Sequence, residues 1–183
     1  TIIRHIMSID SRHIKHKKSG VFLPHFLLTL IIFSFNHKIC FWMSANWAKF
    51  RCFFTKMNEP GGHNFLQPSL IKDFVNKVNG TIVECNTAYK GPRYETETHM
   101  KVFEEHGFAA IAPVDLLDGY GEVKIPVKDT TYIKYNLVGE NMLNYDWMVN
   151  LAHFKGHAMG GFGGVLKNQS IGVASANGKA YIH

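Results

Sequence analysis

Cysteine is scarce in this 183-residue chain, with only Cys40, Cys52 and Cys85 present. No two of them stand at C-x-x-C spacing, so neither a zinc knuckle nor an iron-sulfur cluster is bindable through cysteines of this chain. An odd and sparse count also argues against a disulfide framework and fits a reducing compartment, the cytoplasm. Acidic side chains are nearly missing from residues 1–57, where Asp10 stands alone against Arg4, Arg12, Lys15, Lys17, Lys18, Lys38, Lys49, Arg51 and Lys56, a local charge of +8. The rest carries 11 basic against 13 acidic residues, or −2, so the overall +6 belongs to the leader and not to the body. Without a basic stripe on the folded part, nucleic acid is excluded as a partner. No internal repeat or low-complexity tract occurs.

The chain also lacks an apolar run of the roughly 20 residues a bilayer demands. Its longest, Val21 to Phe35 ("VFLPHFLLTLIIFSF"), has 15 residues without a fixed charge. That is the length of a signal-peptide apolar region, but no clear small-x-small cleavage site follows. Residues 1–57 therefore admit three readings: a membrane anchor through residues 21–35 or a signal, a stretch that is not natural protein, or a buried helix. A misread start near Met57 would produce the second.

From Asn58 the composition changes to punctuated α/β sequence. In "PSLIKDFVNKVNG", Leu70, Ile71, Phe74, Val75 and Val78 recur at helical spacing between Pro68 and a stop at Gly80. "TIVEC" reads as a strand, "YETETHMKVFEEHG" as a helix closed by Gly107, and "FAAIAPV" as another strand. "EVKIPV" and "TYIKY" suggest a hairpin-like excursion, and "DWMVNLA" a strand buried on both faces. This alternation predicts an α/β fold, a mostly parallel sheet with helices packed on it. Residues 58–183 form that ligand-binding domain, expected to be a fragment incomplete at both ends.

In open parallel sheets, ligands sit beyond the carboxyl ends of the strands. The unusual residues fall there: "NEPGGHNF", "NTAYKGPR", Asp115 and "HFKGH" each occupy a loop expected at that edge. In "HFKGHAMGGFGGVLKN", His153 and His157 share a side whether the stretch is extended or helical. They suit proton transfer or metal ligation, with Lys155 and Lys167 as charge partners. Glycines 160, 161, 163 and 164 permit close backbone approach to an anion, beside Asn168. The competing explanation is a glycine turn kept for packing, and two histidines lack the third ligand a metal site needs.

In "ECNTAYKGPR", Asn86 and Thr87 offer hydrogen bonds, Tyr89 stacks or donates, and Arg93 presents a fork for a carboxylate or phosphate. Equally, Asn86 and Thr87 cap a turn and Arg93 is a solvated charge. Glu59 and His63 are ligand candidates or exposed turn residues. Cys85 reads as a buried small hydrophobe, His99 and His106 as surface or packing residues, and Asp115 as the end of a strand.

"NEPGGHNF", "GTIVECNTAYKGPR", "HGFAAIAPVD" and "HFKGHAMGGFGGVLKNQSIGVAS", in this order, resemble the domain-of-unknown-function family 362 over roughly Asn58 to His183. Members of that family are often fused to ferredoxin-type iron-sulfur modules. The resemblance implies a redox-linked enzyme domain, an oxidoreductase or isomerase, that binds a small anionic ligand or cofactor. A ferredoxin-type module or partner with a 4Fe-4S cluster would belong to the full-length protein. "WAKFRCFFTKM" does not look like the family's first strand, which should lead into the "EPGG" loop. A fainter likeness joins His157, "GFGG" and Lys167 to the nickel-pincer lactate racemase family, where such a lysine tethers a nickel cofactor; it implies a 2-hydroxy-acid racemase. A third expectation is a non-catalytic module that grips an anion with the same glycine turn.

Overall fold

The computed structural model describes residues 51–152, 155–157 and 161–183. The apolar stretch Val21 to Phe35 and His153 lie outside the described residues. No helix among the described residues is long and apolar enough to cross a membrane.

The described residues form a mixed α/β fold built on a four-stranded parallel sheet. In chain order, β1 is Arg51–Thr55, α1 Pro68–Lys77, β2 Thr81–Glu84, α2 Thr96–Glu105, β3 Val114–Leu116 and β6 Trp147–Leu151. Between the last two come β4, Glu122–Pro126, and β5, Tyr135–Gly139, which pair antiparallel, followed by a 3-10 turn at Glu140–Asn144. The sheet order is β3-β2-β1-β6, with Cys52 beside Thr81 on one side and Met148 on the other. After β6, β7 (Lys155–His157) and β8 (Gly161–Gly163) form a second antiparallel pair. A short α3, Val165–Lys167, runs into a π-helical turn, Asn168–Gly172, and α4 spans Ala176–Ile182.

"WAKFRCFFTKM" contains the expected first strand after all, and it is an inner one. Its side chains alternate between two cores: Phe53 packs with Ile71, Val75, Ile82, Phe103 and Phe108, while Cys52 and Phe54 pack with Val83, Leu117, Met148 and Val173. Phe53 and Phe54 are both wholly buried, worth roughly 1.5–3 kcal/mol each. Phe53 also meets the Phe74 ring edge-on at 5.2 Å.

Two punctuation marks act differently from expectation. α1 stops at Lys77, and Asn79, not Gly80, takes the left-handed conformation, with φ 50°. Gly80 is required for space: a Cβ there would stand 2.1 Å from the Phe53 ring. Downstream, "FAAIAPV" is not a strand from its start. Gly107 adopts φ 78° and the amides of Phe108 and Ala109 both donate to Phe103 O, so the apolar run closes α2 first. Phe108 is thereby driven into the core, and the strand begins only at Val114. The hairpin is displaced likewise, since β5 begins at Tyr135, where "TYIKY" ends.

Candidate functional site

β1 is the topological switch point: its sequential successor β2 lies on one side and β6 on the other. Loops leaving adjacent parallel strands there diverge, and a crevice opens beyond their carboxyl ends. A cleft of about 340 Å³ occupies this place. One wall is Lys56, Asn58, Glu59 and Asn64, which follow β1; a second is Thr87, Ala88, Tyr89 and Arg93, which follow β2. The third is Gly163, Gly164, Lys167, Asn168, Ile171 and Gly172, with Lys179 and His183 completing the lining.

The loop after β2 is shaped by its own bonds. Thr87 N donates to Arg93 O at 2.9 Å and Thr87 Oγ1 donates to Tyr89 O at 2.9 Å. Arg93 is thus folded back over the sheet edge and is only 4% exposed. Its Nη1 donates to Glu84 Oε1 at 3.2 Å, and Nε and Nη2 both donate to Glu59 Oε1. Nη2 also reaches Tyr89 Oη at 3.0 Å, and Tyr89 in turn donates to Glu59 Oε1 at 2.9 Å. The hydrogen bond from Arg93 holds the Glu59 carboxyl below its ordinary range. Burial, and then the acceptor Glu59, push the Tyr89 phenol up.

Beneath this layer lies a fully buried carboxylate. Glu84 meets His99 Nε2 at 2.8 Å and Lys56 Nζ at 3.9 Å in addition to Arg93. Burial alone would raise its pKa, but the His99 hydrogen bond and the charges of Lys56, Arg93 and His99 outweigh that and hold it at about 2. His99 Nδ1 contacts Asn86 Oδ1 at 3.0 Å, and Asn86 Nδ2 donates to Thr96 Oγ1 at 3.0 Å. The Asn86 carbonyl accepts from Lys179 Nζ at 2.8 Å, and the same ammonium donates to Ala174 O.

The third wall is fixed by amides. Asn150, near the end of β6, donates through Nδ2 to Val165 O at 3.3 Å and to Gln169 Oε1 at 3.2 Å, while Asn168 Nδ2 donates to Asn150 Oδ1 at 3.2 Å. A Cβ on Gly172 would meet the Phe54 ring at 3.2 Å, so the π-helical turn packs directly against β1. Single π-helical turns of this kind are frequent beside ligand sites.

Of the candidates drawn from the sequence, Glu59, Thr87, Tyr89, Arg93, Gly163, Gly164, Lys167 and Asn168 line this same cleft. Asn86 does not; its side chain is turned inward to His99 and Thr96. Gly161, with φ 76°, sits at the start of β8 and outside the lining. The backbone of Lys155 and His157 is extended in β7. The side chains of Lys155 and His157, like the whole of His153, lie outside the described residues.

Asp115 lies within β3 and accepts from Asn141 Nδ2 and Tyr145 Oη, both at 2.8 Å. Cys85 is buried, its thiol 3.3 Å from Val173 O, and burial pushes its pKa well up. His106 stacks on Phe65 at 4.4 Å.

Lys56, Glu84, His99 and Lys179 join the site without having been singled out as ligand or catalytic groups. Two of them carry a signal in the sequence. His99 shares the α2 face of Val102 and Phe103, three and four residues on, and Glu84 is an acid inside an apolar strand. Lys56 and Lys179 carry none, because their roles come from neighbours far along the chain.

No group of three or more His, Cys, Asp or Glu among the described residues is arranged to hold a metal ion. No curated protein and no solved structure matches the chain. The family model described as "Domain of unknown function (DUF362)" matches residues 54–183, beginning inside β1, and the chain belongs to that family.

Proposed function

We propose that the domain binds a small anionic ligand in the cleft beyond β1 and β6. One observation carries the reading: among the described residues that line the cleft, Lys56, Arg93, Lys167 and Lys179 stand against one acidic side chain, that of Glu59. Even with Glu84 counted beneath, four basic side chains face two acidic ones among the described residues. Lys179, 5% exposed, donates through its ammonium to the carbonyl oxygens of Asn86 and Ala174, which are neutral acceptors. Gly163 and Gly164 on the opposite wall support close backbone approach.

Calorimetric titration with inorganic phosphate and with acetate tests this reading. Binding should be saturable and weaken with added salt, and Lys56→Ala and Lys167→Ala should each weaken it about fivefold or more. Unchanged affinity in both variants contradicts the reading.

A redox-linked enzyme, supplied with electrons by a ferredoxin-type module or partner carrying a 4Fe-4S cluster, is the fuller version of this proposal. It draws its support from the family resemblance. In it, His153 and His157 transfer protons, so His153→Ala and His157→Ala should abolish turnover while leaving ligand affinity within about tenfold, or about 1.4 kcal/mol. Loss of binding with no turnover ever detected favours the non-catalytic anion-binding module. The position of Lys167 on the cleft favours a second reading, the 2-hydroxy-acid racemase. Lys167→Ala should then remove a covalently attached group seen by intact-mass spectrometry, and an unchanged mass difference between protein and sequence rejects it.

A further inference from the structure

The Arg93 fork, the natural anchor for a carboxylate or phosphate, is already occupied. A guanidinium has five N–H donors, and four of those of Arg93 are directed at Glu59, Glu84 and Tyr89. The two acids differ in kind. Glu84 is wholly buried and also bound to His99, so it holds Arg93 from beneath as a fixed part of the fold. The Glu59 side chain is 42% exposed, stands in the cleft lining, and places three donated hydrogen bonds on Oε1 alone. Among the described residues its Oε2 accepts none. Glu59 thus engages Arg93 from the solvent side, where an incoming anion would approach.

We propose that Glu59 is a built-in competitor for Arg93: its carboxylate occupies the subsite that the ligand's anionic group takes when the Glu59 side chain rotates away. The proposal rests on the anion-binding reading and reverses the part of Glu59 within it, from ligand contact to internal stand-in. It also defines what the cleft selects. Only a group that outbids a carboxylate at Arg93, such as a phosphate or a carboxylate with a second anchoring group, gains the full site. A lone weak anion is confined to the lysines. The local chain suits such an exchange. Glu59 lies between two residues of left-handed conformation, Asn58 with φ 68° and Gly61 with φ 72°. The turn is tied down independently of Glu59's carboxylate, by Gly62 N to Glu59 O and by Gly61 N to Glu105 Oε1, both at 3.0 Å.

The test compares the unmodified chain with Glu59→Gln and Glu59→Ala in calorimetric titrations with inorganic phosphate and with acetate. Removing one negative charge a few ångströms from the ligand and releasing the fork should tighten phosphate binding about five- to tenfold in both variants. It should also narrow the preference for phosphate over acetate. Loss of a merely structural contact would not raise affinity, and thermal melts confirm that both variants fold. If the unmodified chain binds phosphate and both variants bind it equally or more weakly, the competitor proposal is overturned while the anion site stands. If neither the unmodified chain nor the variants bind either probe, the anion site itself is wrong and the proposal falls with it.

Discussion

Replacing Glu84 by glutamine probes the polar layer under the cleft. The carboxylate is fully buried and paired with Arg93, His99 and Lys56, and Arg93 is itself only 4% exposed. Removing the charge leaves a buried guanidinium without its inner counterion, a loss of about 3–5 kcal/mol. Linkage gives a second value. A fall in pKa from 4.5 to about 2 corresponds to about 3 kcal/mol. Because the folded-state value is the lower one, this stability is fully present above about pH 4.5 and is lost as the pH falls toward 2. Urea unfolding of the unmodified chain and of Glu84→Gln, from pH 7 to pH 2, measures both quantities. The variant should be about 3–5 kcal/mol less stable at pH 7, and the gap should shrink by about 3 kcal/mol between pH 5 and pH 2. A variant within about 1 kcal/mol of the unmodified chain at pH 7, or a gap that ignores pH, refutes the reasoning.

Lys179→Met keeps the length of the stem but strips the buried ammonium from the carbonyls of Asn86 and Ala174. It should cost about 2–4 kcal/mol in urea unfolding, since two buried acceptors lose their donor. Gly139→Ala would place a Cβ 2.0 Å from Leu117 O, a clash with backbone that no side-chain rotation relieves. It should lower stability by about 3 kcal/mol or more, and a near-neutral result would refute the tight docking of β5 there. Cys52 and Cys85 are buried, and burial raises both thiols well above their ordinary range. Neither should react with iodoacetamide in the native state, and both should label in denaturant, read by peptide mass spectrometry.

Much of the architecture follows from local pattern. The spacing of Ile71 and Val75 marks α1, and the β-branched run at Thr81 marks β2. β1 is obscured because it opens on basic Arg51 and is followed by Lys56, giving it the composition of the leader that precedes it. Only pairing to β2 and β6 distinguishes it. "FAAIAPV" misled for another reason: Phe108 has the hydrophobicity of a strand residue, but the left-handed Gly107 before it commits it to the helix cap. At the site, glycines and loop polar residues advertised the walls. The Glu84–His99 pair and the Lys179–Asn86 bond join residues 15 and 93 positions apart, and no window of sequence contains the second pairing.

The most direct test of the central claim is a titration of the isotopically labelled protein with inorganic phosphate, followed through its backbone amide resonances. A saturable change centred on Lys56, Thr87, Gly163, Gly164 and Asn168 is the predicted result, since these meet in one cleft. Saturable changes centred instead on the β4–β5 hairpin, or no saturable change at all, would contradict an anion site beyond β1 and β6.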